Sequence, residues 1–222
     1  MTGLTPEQTQ EFIKHHEEML DKTFEYLNAS DWKEDTKASN DIIKFFTRSV
    51  AGSSFSQVHS VVHIPFGIDK VTAKLDLIPK ITPDMPEKER NGNHARDVLF
   101  NIEGDENKGL VFFLELESPS RLASPREFVM LRRTYIRGDQ HIYLHVSIPY
   151  DARPVPKGFV RGLIHFQAYI ATPEGPDSTK LDFIVHADPQ GSIPGWIYNS
   201  VAVSQGNAAK QIRDDIIAEN SK

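Results

Sequence analysis

Ser124-Pro125-Arg126-Glu127-Phe128-Val129, Gly158-Phe159-Val160-Arg161-Gly162 and Asp188-Pro189-Gln190-Gly191-Ser192-Ile193-Pro194-Gly195-Trp196-Ile197-Tyr198-Asn199 are the three passages that decide the fold. The first two each open an extended run. The third stops a strand and starts a helix. None carries catalytic chemistry, so their meaning lies in the order of elements they punctuate.

Between and before these marks the chain reads as closely spaced hairpins. Extended runs at 98–103 and 110–117 flank the Gly104–Gly109 turn, those at 128–136 and 141–148 flank 137–140, and those at 159–171 and 180–187 flank a longer connection at 172–179. Hairpins spaced this closely predict an antiparallel sheet. Residues 194–220 carry apolar positions at helical spacing, including Val203, Ala209, Ile212 and Ile216, and predict a long final helix.

Towards the N-terminus, Thr5-Pro6-Glu7-Gln8 has the residue types of a capping box with proline in the first turn. Phe12, Met19, Leu20 and Leu27 then mark one helical stripe, while His15-His16 reads as a surface pair. Two extended runs, 41–48 and 55–64, surround Ala51-Gly52-Ser53-Ser54, and a short helix ending at Leu75 follows. Residues 79–96 hold three prolines, many charges and no period, which predicts a surface loop. The expected class is α+β, with a curved antiparallel sheet gripping the last helix in a single domain over 1–222 and the helix within 1–30 packed on it.

Composition narrows the function. With 31 acidic against 25 basic residues the net charge is -6, which argues against a nucleic-acid partner. There is no cysteine, so thiol chemistry and Cys-ligated zinc are excluded. No apolar run reaches the ~18 residues of a membrane span, and the first ten residues lack a secretory pattern. No nucleophile elbow, phosphate loop, dinucleotide fingerprint or His-Glu-x-x-His is present. His141 and His145 share a strand face but lack the spacing of metal ligands, so no metal and no cofactor are expected. Glu115 and Glu117 also share a face, as an exposed strand would place them.

Taken in order, these features resemble the START domain, a lipid-binding module. Trp32 matches an early tryptophan of that family. Pro125-Arg126-Glu127 matches its proline-arginine-aspartate motif with glutamate for aspartate, and Val160-Arg161 matches its valine-arginine strand start. Asp188 to Pro194, with Asn199 beyond Trp196, matches its turn into the last helix. The resemblance implies a helix-grip fold with an internal tunnel for one lipid. It implies a cytoplasmic lipid-transfer protein, monomeric, making transient peripheral contact with membranes, and not an enzyme. Phospholipid is the expected cargo, with sterol or ceramide as alternatives; a hydrolase or cyclase on the same grip fold is the competing class.

The same resemblance proposes the lining. Arg132 falls where sterol carriers place a buried arginine, Glu115 and His145 where ceramide carriers contact the headgroup, and His165 where phosphatidylcholine carriers place an aromatic residue. Met130, Tyr143, Gln167, Phe183, Asn199 and Val203 complete the expected ligand-binding set, and Arg132 is expected to pair with Glu115. The loop at 118–124 corresponds to a membrane-touching gate, with Arg121 and Leu122 at its tip. One tension is visible. Hydrophobic periodicity alone would turn Ile142, Leu144, Val146, Phe166, Ala168 and Ile170 inward. The assignment of Tyr143, His145 and Gln167 to the tunnel therefore requires the N-terminal helix to cover the opposite face.

Overall fold

The computed structural model describes residues 3–118, 123–193 and 195–221, with the side chains of 195–203 outside the description. The elements run α1 (Pro6–Leu27), β1 (Lys33–Glu34), β2 (Ile43–Arg48), β3 (Gln57–Ile64), α2 (Ile68–Leu75), α3 (Glu87–Arg90), β4 (Asn93–Asn101) and β5 (Leu110–Leu116). They continue β6 (Arg126–Arg137), β7 (Gln140–Ser147), β8 (Val160–Arg161), β9 (Leu163–Gly175), β10 (Ser178–Asp188) and α4 (Gly195–Asn220). Ten strands form one sheet in the order β1-β2-β3-β10-β9-β7-β6-β5-β4, with the short β8 paired parallel to the start of β6.

The two faces of this sheet are filled differently. On one, α1 lays Met19 and Leu20 against Ile142, Leu144, Val146, Phe166, Ala168, Ile170 and Ile184. Further along, Phe12 meets Val111, Val129, Leu131, Ile148 and Tyr150. The Thr5 capping box forms as the residue types require, with Thr5 and Gln8 satisfying each other's backbone amides. On the other, concave face lie α2 and α4: Val71, Leu75, Ala209 and Ile216 share a core with Ile43, Phe45, Met130, Tyr143, Leu181 and Phe183. The tension in the sequence is thereby resolved. The cleanly apolar face belongs to α1, and the polar alternates point towards α4.

Three differences from the sequence reading have physical causes. Residues 79–96 are not all loop: Arg96 forms a backbone bridge to Ile81, and β4 starts at Asn93 as a bulged edge strand, whose irregular register hides the two-residue period. The run expected at 159–171 is split at Gly162, where any Cβ would come 2.3 Å from the Phe128 ring. His16 is no surface residue. It is fully buried, its Nε2–H donating to the Leu144 carbonyl at 3.0 Å and its Nδ1 accepting from the Tyr135 hydroxyl at 2.9 Å.

Candidate functional site

Register across the middle of the sheet lines up the inward side chains in rows. Arg132 on β6 faces His145 on β7, which faces Gln167 on β9, which faces Val185 on β10. One step along, Tyr143, Tyr169, Phe183 and Ser60 form a second row across β7, β9, β10 and β3. Met130 opposes Ser147 in a third. Ser60 donates to the Gly206 carbonyl of α4 at 2.8 Å, which seats the helix over this face.

The concave face is not packed solid. Phe166, Ala168 and Ile170, which look towards α1, have no exposure at all. Their alternates Gln167 and Tyr169 look the other way and remain half-buried, as do Leu110, Leu114 and Leu116 of β5 on the same side. Yet burial among protein atoms pushes the Tyr169 phenol up to about 12. These half-buried side chains leave the concave face less tightly filled than the face under α1, and apolar walls with a few placed polar groups are what a lipid site needs.

Those polar groups are tied to their surroundings. Arg132 is 3% exposed; its Nη1 donates to the carbonyls of Leu75 and Asp76 and its Nη2 again to Asp76, so it closes the C-terminal end of α2. Its Nε–H is buried with no hydrogen-bond partner. The Tyr143 hydroxyl donates to the Asp76 carboxylate at 3.0 Å, and burial with that neighbouring charge raises its phenol. The Gln167 amide lies 3.2 Å from His145 Nδ1. Burial, then the positive charge of Arg132, holds the His145 imidazole well below its usual range, so it stays neutral. Phe112 meets the His145 ring edge-on at 5.3 Å, and Tyr169 packs on Phe183 at 4.9 Å.

The expected Arg132–Glu115 pair does not form. Glu115 opposes Glu127 across β5 and β6, on the face that carries Val111 and Val129, whereas Arg132 opposes Leu110 on the concave face. Glu115 pairs instead with Arg153, which also reaches Glu127, and Arg161 closes the cluster on Glu127. Nor does His165 join the chamber row with Gln167. The register between β9 and β10 breaks between His186 and Ala187, and His165 stacks on His186 at 4.5 Å. There it borders a separate cavity of about 330 Å³ beside Met19 and Tyr26 of α1. Asn199 and Val203 lie on the part of α4 whose side chains fall outside the description, and Arg121 and Leu122 lie outside the described residues.

One lining residue escaped the sequence reading altogether. Arg96 opposes Leu114 on β4, so its side chain belongs to the concave face, and its Nε–H donates to the Pro79 carbonyl at 2.9 Å. Burial lowers its pKa, and its charge acts on both Tyr169 and His145, which sit three or more strands away along the sheet. Its alternation with Ala95 and Asp97 carries no sequence signal for this, because the strand is bulged.

A curved antiparallel sheet holding a long helix over a face of apolar side chains and a few polar ones is the helix-grip arrangement. The family model for the START domain matches residues 98–214, and the chain belongs to that family of lipid-transfer domains. It is 25% identical over 207 residues to the mitochondrial steroidogenic acute regulatory protein of Gallus gallus, spanning 91% of this chain and 70% of that protein. It is 26% identical over 219 residues to the steroidogenic acute regulatory protein of Xenopus laevis, spanning 95% and 72%. Among solved structures, human StAR-related lipid transfer protein 5 superposes with a TM-score of 0.75 at 17% identity, covering 95% of this chain and 98% of that one. Among the described residues no helix is long and apolar enough to cross a membrane.

Proposed function

We propose that this protein carries one phospholipid molecule at a time between membranes through the cytosol, without altering it chemically. The whole chain, α1 included, acts as one binding unit. The observation that supports this best is the set of half-buried apolar and polar side chains on the concave face, Leu110, Leu114, Leu116, Gln167 and Tyr169. Lipid surface costs about 25 cal/mol per Å² in water, and apolar walls such as Leu110, Leu114, Leu116 and Phe183 remove that cost. A buried headgroup needs fixed polar partners, and Arg132, Tyr143, His145 and Gln167 stand in two adjacent rows to meet one. Phospholipid is favoured over sterol because so many polar groups would be left unmatched by a single hydroxyl. The loop around Arg121 and Leu122 serves as the membrane-touching gate, and the carrier works as a monomer.

The test is native mass spectrometry of the purified protein, followed by extraction and identification of what is bound. One phospholipid per chain, which the protein moves between vesicles unmodified, is the expected result. A protein that is empty and takes nothing from mixed vesicles would remove the carrier reading, and a chemically altered lipid would move it to the enzymes.

A further inference from the structure

Within the chamber the charges do not balance. Arg132 and Arg96 both belong to the concave face, and neither forms an ion pair with a carboxylate within 4 Å among the described residues; the undescribed segments contain no Asp or Glu. Each guanidinium is held by backbone carbonyls alone, Arg132 by Leu75 and Asp76, Arg96 by Pro79. The nearest acidic group felt by Arg132 is Asp76, whose carboxylate is exposed and already accepts from Tyr143. The remaining side chains of the two central rows are neutral: Tyr143, His145, Gln167, Tyr169 and Phe183. Glu115, the carboxylate expected to compensate Arg132, lies on the other face with Glu127, where Arg153 takes both and Arg161 also takes Glu127.

Arg96 and Arg132 against one exposed anion leave an excess positive charge on this face, and Arg126, on the same face and likewise held by carbonyls alone, adds to it. Burying a charge without a partner is costly, and here one donor, the Nε–H of Arg132, is wholly enclosed with nothing to bond. Guanidinium groups fixed by carbonyls keep their remaining N–H donors in place for oxyanions, which they bind with short, strong hydrogen bonds. A zwitterionic headgroup would bring its own ammonium into this positive field and lose much of the gain. We infer that the chamber selects a lipid whose headgroup is net negative, a phosphate or carboxylate with no balancing ammonium, gripped between Arg96 and Arg132. This rests on the carrier reading above and names the class of cargo within it.

The test loads the full-length protein from vesicles of phosphatidylglycerol, phosphatidylcholine and cholesterol in equal parts, with matched acyl chains. Ionic strength is kept at a physiological level so that adhesion to the acidic surface is screened. Native mass spectrometry after removal of the vesicles reads what has entered. Phosphatidylglycerol should exceed phosphatidylcholine by about tenfold or more, the scale of one charge-assisted hydrogen bond. Arg96→Gln, which leaves the backbone bridge to Ile81 intact, should cut that ratio by about tenfold while the protein still takes up lipid, and Arg96→Lys should restore part of it. Phosphatidylcholine or cholesterol bound as well as phosphatidylglycerol overturns the inference and leaves the carrier reading standing. No lipid bound at all overturns the carrier reading itself. A parallel titration with inorganic phosphate should show no saturable binding; tight binding of the free ion would assign the arginines to a soluble anion instead of a lipid.

Discussion

Arg132 donates to the Asp76 carbonyl from both Nη1 and Nη2 at 3.0 Å, so the strand that floors the chamber also closes the end of α2. The residue therefore has a structural duty alongside its place in the chamber. Arg132→Leu removes these bonds and the carbonyls of Leu75 and Asp76 lose their donors. A loss of about 2–3 kcal/mol is expected, seen as a drop of several degrees in the thermal midpoint. Bound lipid should fall further than this loss of stability accounts for. Arg132→Lys separates the two effects, because it keeps the charge but cannot satisfy both carbonyls and present an Nε–H. Stability and lipid retention moving strictly together across both variants would reduce Arg132 to a helix cap.

His16 makes the fold sensitive to acid. Burial, then the positive charge of Arg133, lowers its pKa from 6.5 to about 3, outweighing the hydrogen bond to the Leu144 carbonyl, which acts the other way. The folded pKa lies below the unfolded one, so the unfolded chain takes up the proton first. Stability is full above pH 6.5 and declines as the pH falls towards 3, by about 1.4 kcal/mol per unit for this group. Burial lowers His186 to about 4 and His145 in the same direction, so both add to the decline. Thermal unfolding between pH 7 and pH 5 should show the midpoint falling, and His16→Gln should make that fall shallower. An unchanged slope in the variant would mean that His16 does not stay neutral inside.

Legibility in the sequence followed how local each signal was. The Thr5 cap, the turns after β4 and β6 and the Asp188–Pro189 stop are written in adjacent residues and form, whereas the longer connection expected at 172–179 is a two-residue turn at Pro176-Asp177. The inward rows of Tyr143, His145 and Gln167 were readable only with the added premise that α1 covers the apolar alternates, since periodicity reports two faces without saying which one holds the chamber. Glu115 and Arg132 show the limit. Whether residues on neighbouring strands share a face depends on pairing register, and the Glu115–Glu127 alignment that separates them is not a sequence pattern. His16 was hidden beside His15 because its burial comes from Tyr135 and Leu144, more than a hundred residues away. Arg96 was lost in a bulged edge strand with no alternation to read.

Gly206 sets how closely α4 can lie on the sheet. A Cβ there would come 2.5 Å from Cε1 and 2.8 Å from Cδ1 of the buried Phe45 ring, and 3.3 Å from Cβ of Ser60. Alanine would gain helix propensity of about 1 kcal/mol, but the ring has no free space to move into. Gly206→Val should therefore destabilise by about 1–3 kcal/mol and push α4 outward, weakening the Ser60–Gly206 bond. If α4 lids the chamber, lipid should leave this variant several-fold faster, measured by exchange of a fluorescent lipid between vesicles. Loss of stability with an unaltered exchange rate would show that α4 does not open from this end.

Arg126 ties the start of β6 to the turn that follows β10. Its Nε–H donates to the Pro189 carbonyl at 2.6 Å, its Nη2 to the Gln190 carbonyl at 2.9 Å, and its Nη1 to the Ser124 carbonyl. The turn it holds is constrained: Gln190 takes a positive φ of 52°, and its amide donates to the Asp188 carboxylate at 2.7 Å. One planar guanidinium thus fixes Ser124 and the Asp188–Gly191 turn together, and no lysine can reproduce its fork. With the proposed gate at 118–124 on one side and α4, the proposed lid, on the other, this clamp is expected to hold the site shut. Arg126→Lys is expected to speed vesicle-to-vesicle transfer several-fold, with a stability loss of only about 1–2 kcal/mol, while the identity of the bound lipid stays the same because Nε, Nη1 and Nη2 of Arg126 are all engaged with backbone carbonyls. Faster transfer with unchanged cargo would assign Arg126 to gating; changed cargo would place it in the binding site, and unchanged transfer would make the clamp a purely structural tie.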